Sequence, residues 1–280
     1  MIVRRSFLLS AVALAFAPGC AGASSATRLS FSGSLKQGSL VIGHAEPGAR
    51  ISVNGAPVSV AENGTFAFGF EYDQKSPTAV VALFRDGSRE IQQAVPVART
   101  YEIQRIAGLP EKFVSPPPDV EKRIERENAL IVEARKRDTS GTAFAEALDW
   151  PVPGIVSGLF GSQRILNGEP KAPHFGVDIA APDGTPIHAP ADGIVALAEP
   201  DFYLTGGTTV LDHGHGVFTL YIHQSALKVT VGRAVKRGDI IGLVGMKGRA
   251  TGPHLHWGMN WFQVKLDPSL STRTPAPAKA

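Results

Sequence analysis

Seven of the eight histidines in this chain fall between His174 and His256. The segment His174-Phe175-Gly176-Val177-Asp178 sets an imidazole and a carboxylate four residues apart. On a strand, positions i and i+4 face the same way, so both side chains converge on one point. A helix would also bring them together, but Phe-Gly-Val between them and Ile179-Ala180-Ala181-Pro182 after them favour a strand. Further on, His254-Leu255-His256 offers two imidazoles at i and i+2, again one face of a strand, with Leu255 and Trp257 on the other. Cys20 is the sole cysteine, so an intrachain disulfide and a cysteine-based metal site are both excluded, and any metal must rest on histidines and carboxylates. Three ligands of His2Asp type leave a fourth zinc position open for water, which is the pattern of a catalytic rather than a structural site. Zinc so held lowers the pKa of its water toward ~7 and polarises a carbonyl. His-x-x-x-Asp alone arises often by chance, and His-x-His alone has a structural explanation in a good share of cases. Both together, in this order and in one segment, are specific.

These residues must be positioned by a β-rich frame. Gly184, Gly193, Gly214, Gly232, Gly238 and Gly245 punctuate candidate strands at Ile187 to Leu197, Thr208 to Asp212, Val217 to Ile222, Ala226 to Val231, Ile240 to Val244 and His254 to Met259. A second set of strands precedes it: Leu40 to Ile42, Ile51 to Val53, Thr65 to Phe68 and Ala79 to Phe84, separated by Asn54-Gly55, Asn63-Gly64 and Asp86-Gly87. Asn-Gly between such runs is a hairpin signal, because both residues tolerate positive φ. Short strands at regular spacing predict a small β-sandwich of the immunoglobulin-like kind over 24–108, a binding or spacing module in which His44 is alone. Pro116-Pro117-Pro118 opens a linker over 109–149, with Asp119 as N-cap of a charged helix from Val120 to Lys136. Its thin stripe of Val120, Ile124 and Ile131 predicts light docking, and Arg135, Lys136 and Arg137 suit the helix C-terminal dipole. Residues 150–270 form the histidine-bearing domain, and 271–280 read as a disordered tail.

From about Ser157 to Pro268 the chain resembles the M23 family of zinc peptidases, the lysostaphin-like or LytM-type cell-wall endopeptidases. The resemblance rests on seven separated blocks in family order: Gly158 to Gly161, His174 to Pro182, Gly184-Thr185-Pro186, Ala191-Asp192-Gly193, Asp212-His213-Gly214, Tyr221-Ile222-His223 and Gly252 to His256. It implies one Zn2+ per chain on His174, Asp178 and His256, with His223 and His254 as the unligated catalytic pair. One neutral imidazole would take a proton from the activated water, and the other would steady the water or the oxyanion. It also implies a mostly β fold, a compact antiparallel domain of the duplicated hybrid motif type, and peptidoglycan cross-links, in a Gram-negative wall the D,D-bond, as substrate. Gln224, where the family favours leucine, and Met246-Lys247-Gly248, where Thr-Gly is common, are departures expected to bear on substrate preference. His213 sits in a family-like position that would suit a residue behind the metal ligands; His188 and His215 are expected on the surface or in structural roles.

Two other activities are weighed against hydrolysis. Some relatives have lost zinc ligands and activate separate murein amidases, but all five site residues are present here. The run Val235 to Gly245, followed by Met246-Lys247, resembles biotinyl or lipoyl carrier hairpins, which would leave the histidines without a purpose.

The start of the chain is an address. Arg4 and Arg5 precede the apolar run Phe7 to Ala17, and Ala21-Gly22-Ala23 closes it, which predicts a signal peptide over 1–23 and a cell-envelope or periplasmic location. The paired arginines resemble a twin-arginine signal as an alternative to the general secretory route. Membrane anchoring follows only if Cys20 is lipidated, and Ala17-Pro18-Gly19 before it matches a lipoprotein box poorly. Basic residues number 28 against 25 acidic ones; without Arg4 and Arg5 the balance is 26 to 25, a net charge of +1. No nucleic-acid partner is expected from so even a balance; peptidoglycan, and a divisome or amidase partner, are the partners the resemblance admits.

Overall fold

The computed structural model describes residues 28–277. The expected signal peptide, with Arg4, Arg5 and Cys20, lies outside the described residues. Among the described residues no helix is long and apolar enough to cross a membrane. The chain is mostly β with antiparallel sheets predominating.

Near the N-terminus, strands Leu29–Gly33, Leu40–Ala45 and Thr65–Gly69 form one sheet. Ala56–Val58, Arg50–Val53, Thr78–Leu83 and Arg89–Ala94 form a second. Asn54 and Gly55 both take positive φ, 49° and 83°, in the two-residue turn joining Arg50–Val53 to Ala56–Val58, the geometry that matches strand twist. Phe66, Phe68 and Phe70 fill the space between the sheets with Val41, Ile51 and Val80. Strand Thr65–Gly69 is buried on both faces: Ala67 and Leu40 turn away from this core and join that of the larger domain. A side chain at Gly69 would collide with Leu266. The sandwich is therefore docked on its neighbour. Its last strand is Arg89–Ala94; Ile103–Ile106, expected inside the 24–108 module, pairs in parallel with Gln163–Leu166 of the histidine-bearing half.

The helix runs from Pro118 to Ala134, with Pro117 rather than Asp119 at its N-cap. Ile131 and Ala134 pack on Ala196, Leu197, Phe202, Val210 and Phe218. Glu127 ties the helix down by accepting from the Tyr203 backbone N–H (2.8 Å), and Arg123 Nε, one turn earlier on the same helix, steadies it at 2.6 Å.

The remaining residues build one long antiparallel sheet in the order Ala234–Val235, Gly193–Phe202, Gly206–Asp212, Val217–Gln224, His254–Trp261, Val177–Ala180 and Ile155–Gly158, with Val264–Leu266 also paired to His254–Trp261. A smaller sheet of Pro186–His188, Ile240–Leu243 and Ala226–Leu227 covers one face. Between them lie Leu255, Trp257, Met259, Tyr221, Ile179, Ile187 and Ile241, all essentially without solvent exposure. Strand alternation therefore commits odd-numbered residues of His254–Trp261 to the core and turns His254 and His256 to the opposite, open face. Ser271 and Arg273, expected in the tail, are tied to the domain: Leu148 N–H donates to Ser271 O (2.8 Å), Arg273 N–H to Leu148 O (2.9 Å), and Arg273 Nε meets Asp149 at 3.1 Å.

Trp257 locks this alternation, because its indole is fully buried directly after His256. Trp257→Ala should destabilise the protein by about 3–5 kcal/mol, read as a lower denaturation midpoint in urea.

Candidate metal centre

Asp178 and His256 are cross-strand partners in the pairing of Val177–Ala180 with His254–Trp261, and directly opposed residues have Cβ atoms only about 4.5–5.5 Å apart. His174 was expected on the same strand as Asp178. The strand starts only at Val177, so His174 arrives on the preceding loop. That loop is pinned by His174 N–H donating to Ser162 O (2.8 Å) and by Gly161 N–H donating to His174 O (2.7 Å). Three atoms then meet: His174 Nε2 lies 2.8 Å from His256 Nδ1 and 2.9 Å from Asp178 Oδ1, and His256 Nδ1 lies 2.8 Å from Asp178 Oδ1. All three residues are buried.

The proton count on this triangle is decisive. His174 Nδ1 is 3.1 Å from Leu159 O. A carbonyl only accepts, so the neutral ring carries its proton on Nδ1 and turns a lone pair at Nε2 inward. Asp178 Oδ1 is also an acceptor. At most one proton, on His256 Nδ1, is left to serve the triangle. A cation satisfies all three, and among the described residues this is the group of histidines, carboxylates or cysteines whose donor atoms converge closely enough to hold one. Burial by itself would raise Asp178; where His174 and His256 carry protons toward it, they hold it well below the ordinary carboxylate range. Burial pushes His256 down to about 4 against the pull of Asp178. Ionised carboxylate and neutral imidazoles are the forms that bind metal.

Two glycines make room for the triangle. A Cβ at Gly176 would come within 2.4 Å of His256 Nε2, and one at Gly158 within 2.6 Å of Asp178 Oδ2.

His223 and His254 stand beside the three. Their ring centroids are 4.7 Å apart, and His223 is 6.5 Å from His256. Simple alternation along Val217–Gln224 would send His223 to the core with Tyr221. Instead its φ of +65° turns it out beside Ile222, while Gln224 takes the inward place and donates to Thr209 Oγ1 (2.9 Å) and Tyr221 O (3.1 Å). Gln224, expected to bear on substrate preference, is wholly buried in the sheet. A non-glycine residue in the left-handed region is a local cost of about 1–3 kcal/mol held in place by its surroundings; here these include His223 Nδ1 on Lys247 O (2.7 Å). His254 Nδ1 is likewise on Gly252 O (2.8 Å). Both rings therefore present Nε2 as a base. Burial, then the neighbouring His254 and His256, push His223 down to about 3, so it is neutral near pH 7.

The other histidines are elsewhere. His213 bonds Asp192 O and Thr219 Oγ1, each at 2.7 Å, in a buried chain that reaches the Tyr221 hydroxyl and none of the five site residues. His215 stacks on Phe144 and faces Ser59 O (3.1 Å), His188 faces Gly238 O (2.8 Å), and His44 meets Ser32 (3.1 Å).

The model of Peptidase family M23 matches residues 172–268. The crystal structure of a putative peptidase M23 from Pseudomonas aeruginosa superposes with a TM-score of 0.66 at 30% identity, covering 85% of this chain and 94% of that one. The chain belongs to peptidase family M23. The M23 segment is also 45% identical over 86 residues to the peptidoglycan DD-endopeptidase ShyA of Vibrio cholerae, covering 31% of this chain and 20% of that protein. To the DD-carboxypeptidase/endopeptidase Mpg of Neisseria meningitidis it is 46% identical over 105 residues, covering 37% and 24%. The match thus spans about a fifth to a quarter of the length of these curated relatives.

His174→Ala and His256→Ala should each abolish stoichiometric metal binding, whereas His223→Ala and His254→Ala should retain it. Elemental analysis of the purified variants distinguishes the two classes.

Proposed function

We propose that this M23 chain is an exported zinc endopeptidase that hydrolyses peptide cross-links of peptidoglycan, most directly the D,D-bond, with His174, Asp178 and His256 as zinc ligands and His223 and His254 as catalytic residues. The observation that carries this is the triangle of acceptors flanked by two imidazoles whose Nε2 atoms are left free by carbonyl anchors. Nitrogen and oxygen donors from three residues suit zinc with a position left open. Zinc, when bound, supplies Lewis acidity for activating water and polarising a carbonyl.

The remaining chemistry falls to the protein. His254 has 16% of its side chain exposed, and its Nε2 lies 3.9 Å from Asp178 Oδ1, at the edge of the triangle. It accepts the proton of the attacking water at Nε2 and returns it to the leaving amine. His223, held neutral by burial, accepts a hydrogen bond at Nε2 and orients that water. The D,D-bond is taken from the activity named for ShyA and Mpg.

Export is supported by Arg4, Arg5 and the run Phe7 to Ala17. N-terminal sequencing of the protein recovered from the cell envelope should begin at Ser24; a start at Met1 would remove the export proposal.

Digestion of purified sacculi should convert cross-linked muropeptide dimers to monomers, with chelation stopping the reaction and zinc restoring it. His254→Ala should slow it by about 10²–10⁴-fold. Persistent dimers with zinc-loaded protein, together with stimulation of an added murein amidase, would replace hydrolysis with a regulatory role.

A further inference from the structure

A cavity of about 550 Å³ opens beside the metal centre and extends along the sheet under the helix. Its walls carry four basic side chains from four different elements: Arg135 just past helix Pro118–Ala134, Arg164 on Gln163–Leu166, Arg249 in the loop before His254, and Lys265 on Val264–Leu266. Asp178, already engaged by the metal ligands, is the single carboxylate on the same walls. Arg164 Nη2 approaches it at 3.5 Å, and Arg249 Nη1 reaches only Phe113 O at 3.4 Å.

Arg135 is the anomaly. It is 4% exposed, and its Nε and Nη1 atoms are buried without a hydrogen-bond partner. Arg164 Nε is in the same condition. A cation near a helix C-terminus is favoured by the dipole, but these nitrogens bond none of the last carbonyls. Buried guanidinium groups are normally paired, because stranding their donors costs more than any neutral contact returns. Burial draws Arg135 down to about 10, and burial together with the charge of Arg135 draws Lys265 down to about 7. A free chain that keeps uncompensated cations in a cavity is arranged for an anion that arrives with a ligand. The planar guanidinium fork matches a carboxylate in two parallel hydrogen bonds.

We propose that this cavity is a carboxylate-binding subsite, in which Arg135, Lys265 and Arg249, with Arg164 beside the metal centre, hold free carboxylates of an acidic peptide lying across the site. The identification of that ligand as a peptide rests on the peptidase function proposed above. The continuity of the cavity with the metal centre favours a carboxylate on the peptide over a phosphate on an accompanying polymer, since both would satisfy the same forks.

The test is co-sedimentation of the full chain with sacculi, under chelation so that nothing is cleaved. Native sacculi are compared with sacculi whose carboxyl groups have been amidated, which leaves phosphate groups intact. Arg135→Met and Lys265→Met should each bind native sacculi about tenfold more weakly, as expected for losing a charge-assisted hydrogen bond. Amidation should weaken wild-type binding at least as much as either variant does, and Arg126→Met, on the exposed face of the same helix, should bind as wild type. Arg135→Met should also raise the melting temperature of the ligand-free protein, because it removes a stranded charge. Equal binding to native and amidated sacculi, wild-type binding by both cavity variants, or a lower melting temperature for Arg135→Met would each overturn the subsite. Arg135-dependent binding without any sacculus hydrolysis by the zinc-loaded protein would leave the subsite standing and remove the peptidase function. Hydrolysis with Arg135-independent binding would do the reverse.

Discussion

Three acceptors with too few protons between them stand at the centre of this molecule. His174 Nε2, Asp178 Oδ1 and His256 Nδ1 lie within 2.9 Å of one another, and the carbonyl of Leu159 takes the proton that could otherwise have sat on the inner face of His174. Such a cluster in a buried setting is unfavourable unless a cation joins it. Much of the surrounding structure serves to keep it in place. The register of two strands sets Asp178 opposite His256, the glycines at 158 and 176 allow the close approach, and the fully buried Trp257 keeps His256 facing out of the core.

The same sheet separates stability from chemistry by its two faces. One face is closed by apolar packing around Tyr221, Leu255 and Trp257, which excludes water and fixes the strands. The other carries imidazoles, a carboxylate and the basic cavity. Carbonyl anchors extend this division to the flanking rings: Lys247 O and Gly252 O fix which nitrogen of His223 and His254 is free. The element before the M23 segment contributes to the open face as well, since Arg135 and Gln104 come from the helix end and from the strand Ile103–Ile106 that joins Gln163–Leu166.

Local rules made a large part of this legible in the sequence. Alternation alone placed His254 and His256 on one face with Leu255 and Trp257 behind them, and Asn54-Gly55 marked its hairpin through the positive φ it requires. What escaped depended on contacts between distant segments. His174 was assigned to a strand because spacing cannot distinguish a strand from a pinned loop. The outward turn of His223 and the inward turn of Gln224 follow from one left-handed residue, for which Tyr221-Ile222-His223 gives no local signal. The parallel pairing of Ile103–Ile106, the docking of Ala67 and the placement of Arg135 in a cavity rather than in solvent join residues tens of positions apart, and no local pattern encodes them. Thr272 and Arg273 looked like tail because their composition is that of a tail, yet a bridge to Leu148 orders them.

In the proposed function one metal ion completes the triangle and the two flanking imidazoles stay off it. Anomalous scattering collected on either side of the zinc edge, from crystals of the zinc-loaded protein, addresses this directly. A single edge-dependent peak is expected, bonded to His174 Nε2, Asp178 and His256 Nδ1, with His223 Nε2 and His254 Nε2 beyond coordination distance. A peak at another place, or one ligated by His223 or His254 in place of a member of the triangle, would contradict it.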